Sequence, residues 1–122
     1  MGSLNKRLVL NVPVELLYKT IKFNCTSEDW AKLYYPGNLP KGRLSIIWDE
    51  PHTNFEIKVT NRNQSGSLFY HFKPLNDSST QLTITYRFDD RVTELDKLIL
   101  FNEIVSLKMF ELGYNEKTFR AA

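Results

Sequence analysis

Apolar and polar residues alternate in five separate segments of the chain, and this period of two predicts five β-strands. The first segment runs from Lys6 to Val12, and the other four begin near Arg43, Phe55, Leu68 and Leu82. Polar turns join the last four, so an antiparallel meander is expected. The predicted inward rows contain sixteen residues: Leu8, Leu10, Val12, Leu44, Ile46, Trp48, Phe55, Ile57, Val59, Leu68, Tyr70, Phe72, Leu82, Ile84, Tyr86 and Phe88.

Three segments have helical spacing instead. Apolar residues three and four apart predict a first helix over Pro13–Phe23, with proline in its first turn. A capping box at Thr26–Asp29 predicts a short second helix over Ser27–Leu33. Another capping box at Thr93–Asp96 begins a long third helix, for which Gly113 is the expected C-cap.

The long helix carries more apolar surface than one core-facing stripe requires. Its apolar residues are Leu95, Leu98, Ile99, Leu100, Phe101, Ile104, Val105, Leu107, Met109, Phe110 and Leu112. A sheet with one apolar face has to be covered, so this helix is expected to lie across it. The prediction is an α+β fold of order β-α-α-β-β-β-β-α, with an antiparallel sheet wrapped around a long C-terminal helix.

Three stretches of sequence carry a resemblance to a known group of proteins. They are LVLNVPVELL at residues 8–17, YHFKPL at 70–75 and TQLTITY at 80–86, followed by the long last helix. This layout resembles the START-like (SRPBCC, helix-grip) superfamily of lipid-transfer domains, pollen allergens and aromatase/cyclase-type proteins. It is most similar to a small uncharacterised bacterial family of unknown function. The chain departs from the full helix-grip sheet by one or two strands, and the superfamily implies no shared catalytic motif.

Length and charge narrow the classes of function. At 122 residues the chain is expected to be one domain over 1–122, with flexible ends at 1–5 and 114–122. The net charge is only +2 and the basic residues are scattered, which argues against nucleic acid as a partner. No apolar run approaches the roughly 20 residues of a membrane span, and the N-terminus lacks a signal-peptide pattern. A cytoplasmic protein is expected.

Few residues suggest chemistry. His52 and His71 are the only histidines, and each is interpreted as a surface residue. The single cysteine, Cys25, cannot form an internal disulfide and is interpreted as structural. The sequence therefore predicts no catalytic residue, no metal site and no cofactor.

Two further features are interpreted without a functional role. The acidic residues Asp89, Asp90, Glu94 and Asp96 lie where negative charge stabilises a helix N-terminus. Ser65-Gly66-Ser67 lacks the strand-turn-helix setting of a nucleophile elbow.

Aromatic residues supply the leading hypothesis of function. Rings on the concave face of the sheet, opposite the last helix, could line an apolar pocket with a few polar groups. The predicted pocket residues are Trp48, Phe55, Tyr70, Phe72, Tyr86, Phe88, Phe101, Asn102 and Val105. The alternative is that these side chains only fill the space between sheet and helix.

A second apolar surface supports a different function. Val9, Ile47 and Phe69 fall on the nominally polar side of the sheet, and the long helix has apolar residues to spare. Together they indicate a buried contact with another chain, most simply a homodimer interface. The sequence thus leaves three hypotheses of function. The leading one is non-catalytic binding of a small apolar or amphipathic ligand between the sheet and the C-terminal helix. The alternative is a protein–protein interaction or homodimerisation module without a ligand, and a cyclase- or hydrolase-like enzyme comes third.

Overall fold

The computed structural model describes residues 2–26, 43–60, 65–88 and 94–121. Five strands and two helices lie in these ranges. They are β1 Gly2–Leu10, α1 Val14–Thr26, β2 Arg43–Glu50, β3 Asn54–Thr60, β4 Ser65–Asn76, β5 Ser79–Phe88 and α2 Glu94–Ala121.

The five strands form one antiparallel sheet in the order β1-β5-β4-β3-β2. The four later strands form the expected meander, and β1 pairs with β5 from Gly2 opposite Phe88 to Leu10 opposite Thr80. Residues 2–5, expected to be a flexible arm, are therefore part of β1, which begins four residues earlier and ends two residues earlier than predicted.

The core lies between the concave face of the sheet and the two helices. Eleven of the sixteen predicted inward residues are buried, whereas Ile46, near the bulged end of β2, is 43% exposed. Leu17, Tyr18 and Ile21 of α1 and Leu100 and Leu107 of α2 complete the cluster, each repeating at the spacing of one helix face. Leu44, Val59 and Phe88 are outside the described side chains, as is the whole of the predicted short helix Ser27–Leu33.

The turn between β1 and α1 is tied to both β5 and α2. The Thr80 hydroxyl, fully buried, donates to the Val12 carbonyl at 2.8 Å. The backbone N–H of Asn11 donates to Glu111 Oε2 at 2.5 Å, and Lys108 Nζ donates to the Val9 carbonyl at 3.4 Å. These contacts fix α2 beside the edge strand β1.

The predicted end of α2 at Gly113 is wrong, because the helix continues to Ala121. Glycine weakens a helix interior by about 1 kcal/mol relative to alanine, but it does not stop the helix when neighbours pack. Here the Phe110 and Tyr114 rings, one turn apart, stack at 6.5 Å across Gly113, and both pack against the core. This packing offsets the cost of the glycine.

A β-bulge in β2 changes which side chains face the core. Ile46 pairs with Ile57, but the next paired residue is Trp48, opposite Glu56, so Ile47 is the extra residue. Because neighbouring strand positions face opposite sides, the bulge puts Trp48 on the outer face of the sheet and Asp49 on the concave side. The prediction that Trp48 lies on the concave face is therefore wrong.

Candidate functional site

The part of the concave face next to α1 is filled by aromatic rings. Tyr18 meets Phe55 edge-to-face at 6.1 Å and Phe72 at 5.9 Å between ring centroids. It also meets the His52 ring at 5.3 Å. Edge-to-face packing of this kind adds to the gain from burial. Tyr18 of α1 thus packs directly over Phe55 and Phe72.

At the rim of this region a small charged network joins α1 to β2. The Tyr18 hydroxyl donates to Asp49 Oδ1, and Lys22 Nζ lies 2.8 Å from Asp49 Oδ2. The hydrogen bonds from Lys22 and Tyr18 lower the pKa of Asp49 below its usual value. Burial, reinforced by the hydrogen bond to Asp49, raises the pKa of Tyr18. The lowered pKa keeps Asp49 charged, and the raised pKa keeps the Tyr18 phenol neutral. In these forms the two side chains and Lys22 hold α1 against β2.

A second tyrosine–carboxylate pair lies between the sheet and α2. Tyr70, in the middle of β4 and fully buried, donates its hydroxyl to Glu103 Oε1 at 3.0 Å. Glu103 is only 4% exposed and projects from the same face of α2 as Leu100 and Leu107. A buried carboxylate is costly unless hydrogen bonds satisfy it. Glu103 makes at least one interaction in addition to this bond.

The structure brings four of the nine predicted pocket residues together. Phe55, Tyr70, Phe72 and Tyr86 all lie on the concave face, and none is more than 5% exposed. All four side chains are therefore part of the buried core of the protein.

The other five predicted residues are elsewhere or not described. Trp48 is 44% exposed on the outer face, and Phe101 and Val105 are 61% and 42% exposed on the side of α2 away from the sheet. The expectation that Phe101 and Val105 face the sheet is wrong, because Leu100, Glu103 and Leu107 occupy that face. Asn102 is half-buried, and the Phe88 side chain is outside the described part of the chain.

The outward face of α2 is an apolar stripe, which we call the outer stripe. Its members are Phe101, Val105, Met109 and Leu112, with exposed fractions between 42% and 66%. At 100° per residue these four positions lie within an arc of about 80°, on the opposite side of the helix from Leu100, Glu103 and Leu107. Of the two apolar faces of α2, one is buried and the other faces solvent.

The outer face of the sheet carries a smaller aromatic cluster. The Trp48 and Phe69 rings are 5.4 Å apart, and both residues lie opposite the buried Glu56 on the strand between them. Arg87 lies over the Phe69 ring at 5.7 Å, and its guanidinium is 3.9 Å from Glu56 Oε2. Because Trp48 and Arg87 both pack against Phe69, its ring is only partly exposed.

The described residues contain little else with the character of a site. His52 and His71 are both exposed, and His71 Nδ1 lies 2.9 Å from Asn54 Oδ1. Within the described ranges, no three His, Cys, Asp or Glu side chains are grouped to hold a metal ion. No helix in the same ranges combines the length and apolar composition needed to cross a membrane.

Sequence reasoning missed Glu103 and Asp49, the two carboxylates on the concave side. A signal for Glu103 existed, since it is spaced three residues after Leu100 and four before Leu107. It was obscured because α2 is apolar on both faces. Asp49 gave no such signal, because a bulge is not visible in a pattern of alternation.

Comparison with known proteins extends the description of the fold. A scan of protein-family models and a search of curated proteins find no match to the sequence. Solved structures do match. The Aha1 dimer from Colwellia psychrerythraea is similar with a TM-score of 0.63 and 10% identity, over 93% of this chain and 98% of that one. Norcoclaurine synthase from Thalictrum flavum has a TM-score of 0.64 and 10% identity, over 93% and 96% of the two chains.

A third similar structure is an aromatase/cyclase from Streptomyces sp. R1128, with a TM-score of 0.54 and 14% identity, over 98% of this chain and 96% of that one. Identities this low establish the fold alone. The chain has the helix-grip (START-like) fold, as predicted, with a five-stranded antiparallel sheet and a long C-terminal helix.

Proposed function

We propose that this protein is a protein-interaction module that associates with a second copy of itself through the outer stripe of α2. The observation that carries the proposal is the exposure of Phe101, Met109 and Leu112, each more than 60% accessible on one side of one helix. Isolated exposed apolar residues are ordinary, but a contiguous row of large ones marks a contact surface.

The burial of the inner aromatic rings supports the same choice. Phe55, Tyr70 and Phe72 are buried, so these rings are not exposed to a second chain. The outward face of α2, in contrast, exposes four large apolar side chains along one helix. Among the proteins of similar fold, the one from Colwellia psychrerythraea is itself a dimer in solution.

The size of the stripe sets the expected strength of association. Four side chains exposing about 100 Å² each would bury roughly 800 Å² over two copies, below the 1,200–2,000 Å² of stable interfaces. Side chains flanking the stripe would add to this area. We therefore expect a reversible dimer with a dissociation constant in the micromolar range.

Sedimentation equilibrium over a wide range of protein concentration tests the proposal. The average mass should rise from monomer towards dimer, and the double variant Phe101→Ser/Met109→Ser should remain monomeric. Val9→Ser/Ile47→Ser is the matched control, since it removes two exposed apolar residues from the sheet instead. A wild-type protein that stays monomeric throughout, or a dimer lost only in the control, would refute the assignment.

A second candidate function is binding of a small amphipathic molecule between the sheet and α2, with Tyr70 and Glu103 as its polar contact. The observation favouring it is the buried carboxylate in an otherwise apolar interior, since such groups are costly and often functional. Its ligand would carry a hydrogen-bond donor, such as an amine or a hydroxyl, to meet the carboxylate.

A fluorescent aromatic amine, 1-aminoanthracene, is a suitable probe of this second candidate. If the site exists, the probe should bind with enhanced fluorescence, and Glu103→Gln should weaken binding by about tenfold. Glu111→Gln is the matched control, because that carboxylate lies on the same helix but contacts Asn11 and Lys108 at the surface. Equal affinity in both variants, or no binding, would remove ligand binding from consideration.

A further inference from the structure

The outer face of the sheet gathers basic residues that are scattered along the sequence. The strands β1, β5 and β4 are neighbours in the sheet, and none of the three contains an aspartate or a glutamate. Strand alternation puts four exposed cationic side chains on this face. They are Arg7, Lys58, Lys73 and Arg87. Folding therefore creates a basic surface that spacing along the chain does not indicate.

Three of these four cations have no acidic partner. Arg7, Lys58 and Lys73 are exposed, and none of them forms an ion pair within the part of the chain that the structure describes. A cation that is not neutralised by its own protein contributes fully to the local potential and attracts anions.

The two acidic side chains that the described strands place on this face are already engaged. Glu56 is 8% exposed, and its Oε2 lies 3.9 Å from the Arg87 guanidinium. Glu50, at the end of the edge strand β2, accepts a hydrogen bond from Trp48 Nε1 at 2.5 Å. The outer face therefore keeps a positive excess, which is complementary to a partner with several negative charges.

The register of the sheet places the cations on both sides of Phe69. In the row of paired residues on one side of Phe69 lie Arg87 and Lys58, and in the row on the other side lies Arg7. Lys73 is one row further in the same direction. Because successive rows are two residues apart along the strands, the cations span about 20 Å. A partner has to be an extended polyanion to reach all of them.

The groups between the cations favour one kind of polyanion. Trp48 is 44% exposed and packs against Phe69, so part of its indole is open to solvent. The uncharged polar side chains of Asn5, Thr83 and Thr85 lie on the same face. Bases of a single strand stack on such rings and bond to such groups, while the phosphates contact lysine and arginine. An acidic peptide would use the cations without the rings, and a duplex keeps its bases stacked inside.

We propose that the outer face of the sheet binds a single-stranded nucleic acid, with its phosphates on Arg7, Lys58 and Lys73 and one base stacked on Trp48. This proposal departs from the sequence-based expectation of no nucleic-acid partner, which considered only positions along the chain. It is independent of the proposed self-association, because the outer stripe lies on the side of α2 away from the sheet.

Fluorescence anisotropy with a labelled oligothymidylate of about 12 nucleotides tests the phosphate contacts. At low salt the full chain should bind it, and a plot of log binding constant against log salt should have a slope of about −2, as three contacts require. Arg7→Gln/Lys73→Gln should weaken binding by about tenfold or more and reduce the slope to about −0.7. The matched control is Lys19→Gln/Lys97→Gln, which removes the same charge from exposed positions on the two helices and should change binding little.

Trp48 supplies a second readout, which reports base stacking. The chain has two tryptophans, so Trp30→Phe leaves Trp48 as the single one. Its fluorescence should be quenched by the oligothymidylate over the same concentrations at which anisotropy rises. In the otherwise unchanged chain, Trp48→Leu should weaken binding by about tenfold and leave the salt slope unchanged.

Four results would overturn the proposal. They are no binding at low salt, equal weakening by the helix control, a duplex with the same number of phosphates that binds as tightly as the single strand, and a polyglutamate peptide that does so. The second result would show that net charge rather than the sheet face drives binding, and the last would assign the face to an acidic protein segment. None of them bears on self-association, which sedimentation measures separately.

Discussion

Two tyrosine hydroxyls donate to carboxylates on the concave side of this protein, and the surroundings of the two pairs differ. Tyr70 and Glu103 join β4 to α2 in the interior, where both side chains are nearly inaccessible. Tyr18 and Asp49 join α1 to β2 at the rim, where Asp49 also pairs with Lys22 and remains partly exposed.

The comparison shows how burial changes what one hydrogen bond contributes. At the rim, water can replace a lost partner, so the bond contributes a modest net amount. In the interior, a lost donor leaves a carboxylate that water cannot reach. The same chemical pair should therefore be far more consequential at Glu103 than at Asp49, and three changes can break or sharpen this contrast.

The largest effect is expected for Tyr70→Phe. The change keeps the ring and removes the donor to Glu103, so the free energy of unfolding should fall by about 1–3 kcal/mol. Urea unfolding measures it. The effect of Tyr70→Phe should shrink markedly in a Glu103→Gln background if the two side chains are coupled. A loss below about 0.5 kcal/mol in the wild-type background would show that the buried bond contributes little.

A smaller loss is expected for Tyr18→Phe, about 0.5–1.5 kcal/mol by the same measurement. The ring contacts with Phe55 and Phe72 remain, and Asp49 retains Lys22 as its partner. If Tyr18→Phe were as damaging as Tyr70→Phe, the distinction between rim and interior would be wrong.

The smallest effect concerns acid stability. The pKa of Asp49 is lower in the folded protein than its usual value of 3.8, chiefly through its hydrogen bond with Lys22. A group with a lowered folded-state pKa contributes stability above the unfolded value, and that contribution is lost as the pH falls through the folded value. Asp49→Asn should therefore destabilise the protein at pH 6 and have a diminishing effect below pH 3.8. Urea midpoints at several pH values measure this, and an equal loss at pH 6 and pH 2 would contradict it.

Much of the fold was predictable from local pattern. Alternation located all five strands, and the spacing of Leu17, Tyr18 and Ile21 located the buried face of α1. Element ends were less accurate, because packing at Tyr114 carried α2 past Gly113 and pairing with β5 drew residues 2–5 into β1. The START-like fold assignment, based on the order of elements, is confirmed by the solved structures of similar fold.

The candidate site was predicted less well. Phe55, Tyr70, Phe72 and Tyr86 are on the concave face as expected, because strand alternation assigns them to it. Trp48 was misplaced because one bulged residue reverses every later position in its strand. The role of Phe55, Tyr70, Phe72 and Tyr86 as ligand contacts stays a prediction.

The sequence alone determined which faces of β1, β3, β4 and β5 would be buried, since in a strand the side-chain period of two follows directly from backbone geometry. In β2 the bulge at Ile47 changed the face. Only the tertiary structure decided which side of α2 meets the sheet. That helix is apolar on two opposite sides, so its own periodicity does not choose between them. The contacts of Glu103 with Tyr70 and of Glu111 with Asn11 orient one side inward, and the other side is left as the outer stripe on which the proposed association depends.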